Sequence, residues 1–324
     1  MKAIIQDRYG SPDVLSLGEM DKPVVGNDDV LVRVHGAGVD PGVWHLMSGL
    51  PYLVRVMGFG LRKPKNPVRG RDLAGHVESV GKNVTRLQPG DDVFGTCDGS
   101  FAEYVCARED KLSRKPANLN FEQAAAVPIS ACAALHGLRE AGKIQTGQRV
   151  LIIGAAGGVG TFAVQLARIF GADVTGVCGA TKTDLVRSIG ADHVIDYTRE
   201  DFTATGQRYD LILDTAGNRP LSHLRRALEP HGTLVIVGGE GAGKWLAGFD
   251  RQIIRAPILS LFVSQKLCGL ISRETREDLQ FLTELIEAGK LTPVIDRTYL
   301  LSEAAEAVRY IAEGHARGKV VLTV

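Results

Sequence analysis

The residues that could do chemistry are densest between Gly147 and Arg168. Val150 to Ile153 is a short β-branched, apolar run of the kind buried on both faces of a parallel sheet, and it breaks into small residues before a helical pattern begins. That reads as strand, tight turn, helix. In the turn Gly157 removes a Cβ that would hold the main chain away from a pyrophosphate, Gly158 opens the helix, and Gly160 lets the helix lie close on the strand. Ala156, Gly157, Gly158 and Val159 are thus the candidates for a phosphate contact, made by unpaired amides at the positive end of the helix dipole. Ala155 stands where the common GxGxxG pattern has its first glycine, and a turn that merely packs a helix on a sheet also uses small residues. The strand and helix that frame the turn, and the strand-helix alternation behind it, favour the dinucleotide.

A second chemical signal lies at the next strand. Folds that prefer NAD end their second strand in an acidic residue that bonds the ribose hydroxyls and repels a 2′-phosphate. Here the strand Asp173 to Cys178 runs into Cys178-Gly179-Ala180-Thr181-Lys182 with no carboxylate at that position. Gly179 leaves room for the phosphate and Lys182 supplies charge, which points to NADPH; a solvated lysine at a helix start is the plain alternative. Gly238 and Gly239, at the end of a later strand, suit close approach to a flat ring, or a turn alone.

These signals need elements to position them. Residues 1 to about 118 are broken by Gly, Pro and Asp-Asp into short strands, at Ala3–Ile5, Asp29–Val39, Asp72–Val80, Asp92–Phe94 and Ala102–Cys106. The stretch Leu50 to Pro67 mixes apolar residues with Arg55, Arg62, Lys63 and Lys65 and has no period, so a loop or irregular helix is expected. Phe121 to Ala141 turns helical, interrupted at Pro128. From Arg149 strands at Val150–Ile153, Asp173–Cys178, His193–Ile195, Leu211–Asp214 and Thr233–Val237 alternate with helices, which implies a doubly wound parallel sheet with its ligand at the carboxyl ends of the strands. Later, Ile258–Val263 reads as a strand and Arg273–Ala288 as an amphipathic helix. A helix at Ser302–Glu313 follows, opened by Ser302 as N-cap, and Lys319–Val324 reads as a closing strand. The chain is expected to return to the first lobe, with the active site in the cleft between lobes.

Composition narrows the classes. The 324 residues are 44% hydrophobic, enough for two domains, and carry a net charge of +1 with a pI near 7.7. Nothing electrostatic points to nucleic acid or an anionic membrane. The five cysteines form no CxxC pair, so reduced thiols in a cytoplasmic protein are expected rather than disulfides or a cysteine-built zinc site. Met1-Lys2-Ala3-Ile4-Ile5 runs into polar residues before a signal peptide can form, and no run reaches the length of a membrane span.

Five motifs together carry a family resemblance: Gly147 to Arg168; Gly70-Arg71-Asp72-Leu73-Ala74-Gly75 with Gly81 and Val84; Gly90-Asp91-Asp92-Val93; Gly190 to Tyr197; and the tail Gly314-His315-Ala316-Arg317-Gly318-Lys319. In these the chain resembles the medium-chain dehydrogenase/reductase superfamily, and specifically its zinc-free quinone oxidoreductase branch. The resemblance implies a GroES-like β-rich catalytic domain over 1–120, a Rossmann NADP-binding domain over 121–260 and a returning catalytic segment over 261–324. Where the zinc enzymes of the superfamily have a Gly-His-Glu ligand segment this chain has Gly70-Arg71-Asp72, and where their first ligand cysteine stands it has Val39-Asp40-Pro41. A guanidinium cannot ligate a metal, so none is expected. Asp40, His45, Asp72 and His76 are the residues a metal would otherwise use, but they lack a matching spacing.

By the same resemblance Asp40 and His45 lie beside nicotinamide and substrate, and His45 could protonate the acceptor oxygen. A packed or surface histidine after Trp44 is the alternative. Tyr52 is a weaker pocket candidate, and Ala133 replaces a cofactor-contacting threonine. Tyr197 matches a tyrosine placed beside the 2′-phosphate. Phe262 and Val263, followed by Ser264, fall where the chain passes the nicotinamide, and Lys319 is a further cofactor candidate. A homodimer is also implied. Without a Lewis acid, hydride transfer to a conjugated acceptor is easier than alcohol oxidation, because conjugation spreads the developing charge. The expected activity is therefore NADPH-dependent reduction of a small electrophilic quinone or α,β-unsaturated carbonyl. A carbonyl reductase is the nearest competitor, and a nucleotide-binding protein of crystallin or sensor type is the alternative from another class.

Overall fold

The computed structural model describes residues 1–238 and 250–324, so Gly239 lies outside the described residues. The chain divides into two compact units, Met1–Ile129 with Glu274–Val324, and Ser130–Arg273. The chain thus returns to its first unit. The divisions fall later than 120 and 260, for a local reason at each. Asn120 caps the helix Phe121–Ala125 through a capping box, and Phe121 stacks on His35 of the first unit at 4.8 Å. Gly38 leaves room for the Ala125 carbonyl, where a Cβ would clash. That helix therefore belongs to the β-rich unit. At the other division, residues beyond 260 still supply a strand to the second unit's sheet.

The first unit is built on an antiparallel core. Asp29–Val39 pairs with Asp72–Val80, Tyr104–Arg108 and Lys319–Thr323, and Asp72–Val80 pairs on to Asp92–Thr96. One edge is extended in parallel by Ile295–Leu300 against Lys319–Thr323. Inward residues Val30, Val32, Val34, Leu73, Val93, Val320 and Leu322 form the core, as period-two alternation requires of a sheet with one dry face. Leu50–Pro67 is irregular, with a short helix at Tyr52–Val54 and a wide turn at Arg55–Phe59 kinked at Gly58.

The second unit holds six parallel strands in the order His193–Asp196, Asp173–Cys178, Arg149–Ile153, Tyr209–Asp214, Leu228–Ile236 and Lys266–Gly269. This is the doubly wound order, and its switch point lies between Arg149–Ile153 and Tyr209–Asp214. Val150, Leu151 and Ile152 are fully buried, as a sheet covered on both faces demands.

Two expected elements are corrected. Ile258–Val263 is not a strand: Pro257 sits in the first turn of a short helix, Ala256–Ser260, and the chain then turns before the strand Lys266–Gly269. Pro at a helix start is favoured, and a short apolar run does not by itself separate helix from strand. Ser302 is not an N-cap: a 3-10 turn at Leu301–Glu303 precedes the helix Ala304–Ala312, and Glu303 reaches back to accept from the Leu300 amide at 2.8 Å.

Candidate functional site

The phosphate turn sits at the switch point. Gly154 closes its strand at φ +80°, and a Cβ there would meet Thr215 Oγ1. Thr215 in turn donates to the Ile153 carbonyl at 2.7 Å. Gly154 therefore supplies the left-handed step that Ala155 could not, a role the sequence reading missed although the glycine was in plain view. Gly157 is the N-cap of the helix Gly158–Ile169 and no side chain caps it. Gly160 is buried, and a Cβ on it would strike the Gly154 carbonyl and Ala155 backbone. A Cβ on Gly157 would meet only the Gly154 oxygen, at 3.3 Å. Packing thus explains Gly160, whereas open space faces Gly157. Ala156 is buried, and Gly157, Gly158 and Val159 are partly exposed, so first-turn amides stand at the carboxyl end of the sheet where a diphosphate would fit.

The next strand end gathers its candidates. A Cβ on Gly179 would lie 3.6 Å from the Tyr197 hydroxyl. The Tyr197 amide donates to the Cys178 carbonyl at 3.1 Å, and the Lys182 amide donates to the Gly179 carbonyl at 2.9 Å. Tyr197 is 53% exposed. Burial pushes the Cys178 thiol up, and Asp196 adds to that; Lys182 and Arg187 oppose it, which places both cations beside this strand end. Arg187 is a second cation the sequence reading passed over, because it lies within the helix Thr183–Ser188 rather than in the turn.

Two cofactor candidates, Phe262 and Val263, stand elsewhere than expected. Phe262 and Val263 precede Lys266–Gly269, so they lie at the amino end of a parallel strand, away from the carboxyl ends that carry the phosphate turn. Ser264 bonds the Pro230 carbonyl at that same end. The residues that emerge at the carboxyl end are Leu270, whose amide donates to the Ile236 carbonyl at 2.8 Å, and Ile271, 84% exposed. Gly238 has a packing reason, since a Cβ would strike the Thr215 backbone. Lys319 is 2% exposed in the first unit, with its ammonium 3.1 Å from Asp72.

In the first unit Asp40 follows the strand Asp29–Val39 and caps the helix Pro41–Ser48, its Oδ1 accepting from the Gly42 amide at 2.7 Å. Its Oδ2 is buried with no hydrogen-bond partner among the described residues. His45 lies on that helix, and its Nδ1 is 2.8 Å from the Leu50 carbonyl. A carbonyl only accepts, so Nδ1 carries a proton. Tyr52 begins the short helix beyond it, under the Arg55 guanidinium.

Next to Asp40 lies a buried charge cluster. Arg71 pairs with Glu274 at 3.2 Å, and burial lowers its pKa less than Glu274, Asp40, Asp72 and Asp98 together raise it. Asp72 is fully buried; burial pushes its carboxyl up to about 6 against the Lys319 charge, with Asp40 raising it further. Its other oxygen accepts from the Ile129 amide at 2.9 Å. His76 is turned to Asp92 and to the His35 ring, so Asp40, His45, Asp72 and His76 do not converge. A guanidinium paired with one carboxylate, and a second carboxylate paired with a lysine, do not fit a zinc ion.

Comparison with known proteins agrees with this architecture. The family model described as an alcohol dehydrogenase GroES-like domain matches residues 26–117, and one described as a zinc-binding dehydrogenase matches residues 189–322. The mouse protein named NAD(P)H oxidoreductase RTN4IP1, mitochondrial, is 32% identical over 366 residues, covering 100% of this chain and 89% of that one. A 2-methylene-furan-3-one reductase of Solanum lycopersicum is 31% identical over 338 residues, covering 99% of this chain and 79% of its own. The solved quinone oxidoreductase of Coxiella burnetii superposes with a TM-score of 0.88 at 30% identity, covering 100% of this chain and 99% of that one. The chain belongs to the medium-chain dehydrogenase/reductase superfamily, as an oxidoreductase of its quinone oxidoreductase branch.

Proposed function

We propose that the protein is a metal-independent, NADPH-dependent reductase of quinones or α,β-unsaturated carbonyls. The observation that carries the reading is the pairing of Arg71 with Glu274 and of Asp72 with Lys319, which fills with matched charges the segment where the zinc enzymes of the superfamily have Gly-His-Glu. Two relatives support the acceptor class by name, one a quinone oxidoreductase and one a reductase of 2-methylene-furan-3-one. The first-turn amides at Gly157, Gly158 and Val159 would hold the diphosphate, and Lys182, Tyr197 and the open side of Gly179 would take the 2′-phosphate. Arg187 adds a second positive charge there. When bound, the reduced nicotinamide supplies a hydride.

The chain's own residues then have two tasks. With no Lewis acid the developing oxyanion must be met by hydrogen bonds, and conjugation in the acceptor lowers how much charge they carry. His45 is the proton source in this reading. Asp40 sets the start of the helix that presents His45. NADPH consumption with a quinone, a conjugated enal and a saturated aldehyde of matched size tests the reading. Conjugated acceptors are expected to react at least about tenfold faster; equal rates with the saturated aldehyde would assign a carbonyl reductase instead.

A further inference from the structure

The first unit contains a cavity of about 430 Å³ whose wall includes Leu46, Phe59, Lys65, Arg69, Arg71 and Asp98. Its charges do not balance. Arg71 is matched by Glu274. Arg69 is not matched in the same way among the described residues: it is 6% exposed, its Nη1 donates to the Leu46 carbonyl at 3.3 Å, and its Nε is buried with no hydrogen-bond partner among them. The groups that act on its charge are Tyr9 and Asp98. Tyr9 donates its hydroxyl to the Gly60 carbonyl at 2.6 Å, and burial raises its pKa, so it is neutral at physiological pH. Asp98 is exposed. Lys65 adds another cation at the exposed rim.

A guanidinium held out of water without a carboxylate partner is costly, and an oxyanion in the cavity that Arg69 lines would offset part of that cost. Arg71, which lines the same cavity, lies within the field of Asp40 at the start of the helix that carries His45, and Phe59 and Leu46 add apolar wall. Resting on the reductase reading above, we propose that this cavity takes the anionic oxygen group of the acceptor, so that the preferred substrate is a conjugated carbonyl or quinone bearing a carboxylate. Arg69 is then the specificity-determining residue, with Lys65 drawing the anion to the rim.

The test compares a benzoquinone carrying a carboxylate with the same quinone carrying a carboxamide. The carboxylate is expected to show a kcat/KM at least about tenfold higher, through KM. That ratio should fall towards one in Arg69→Met and stay intermediate in Arg69→Lys. Calorimetric titration of both quinones onto wild-type protein without cofactor reads the preference independently of turnover. Tighter carboxylate binding with no turnover of either quinone would keep the anion site and sink the reductase reading. Equal binding and equal kcat/KM, or a preference unchanged in both Arg69 variants, would overturn the anion site. The wild-type comparison decides the matter even if Arg69→Met fails to fold.

Discussion

Lys319 and Asp72 show how a single pair constrains the first unit. Both are buried, and the lysine is the partner that offsets the cost of a carboxylate sealed from water. Replacing Lys319 with Met should therefore cost about 3–5 kcal/mol in urea unfolding, since it leaves the charge of Asp72 uncompensated. A loss under about 1 kcal/mol would show the pair to be incidental. The raised pKa of Asp72 has a definite sign. Between its ordinary value of 3.8 and about 6 the native state holds a proton that the unfolded chain releases, so the contribution of Asp72 to stability falls as pH rises through that window. Asp72→Asn should remove this slope; an unchanged dependence of melting temperature on pH would assign it to other groups. At His45 the expected effect is on rate. His45→Phe should lower kcat with a quinone by about 100-fold or more, and a variant with wild-type kcat would leave water as the proton donor.

At the scale of elements, the phosphate turn separates packing from binding. Gly160→Ala forces a Cβ into the backbone of Gly154 and Ala155, so it should destabilise the protein by about 2 kcal/mol or more. Gly157→Ala meets only one oxygen at 3.3 Å, so it should change stability by less than about 1 kcal/mol yet weaken nucleotide binding measured by calorimetry. The reverse pattern would mean that the turn serves the fold alone. This turn was legible because strand, glycines and helix are consecutive, and the strands Asp29–Val39, Asp72–Val80 and Asp173–Cys178 were legible because their periodicity and their Gly and Asp breaks are local. The strand Lys266–Gly269 was not, since a four-residue run with Lys and Cys carries little pattern, while the more apolar Ile258–Val263 stood beside it. The expectation of a strand at Ile258–Val263 put Phe262 and Val263 at a strand's carboxyl end, where the structure has Leu270 and Ile271. Arg71 with Glu274 and Lys319 with Asp72 were equally hidden, because the partners are brought together only by the return of the chain after residue 273.

For the molecule as a whole, the proposed function divides the chemistry between the two units: the parallel-sheet unit would supply the first-turn amides and the cationic strand end, and the β-rich unit the histidine and the charge cluster. Coenzyme choice belongs to the first of these. A charge-assisted hydrogen bond contributes about 1.5–3 kcal/mol, so Lys182→Ala combined with Arg187→Ala should reduce the ratio of NADPH to NADH efficiency by about tenfold or more; a ratio that does not move would place the 2′-phosphate elsewhere. The reaction type depends on the second. No helix among the described residues is long and apolar enough to cross a membrane. The most direct measurement is the rate of NADPH oxidation with a quinone after exhaustive treatment with a chelator, with zinc content read by elemental analysis on the same sample. Full activity with negligible zinc is the expected result; activity that disappears with the metal and returns with one equivalent of Zn²⁺ would contradict it.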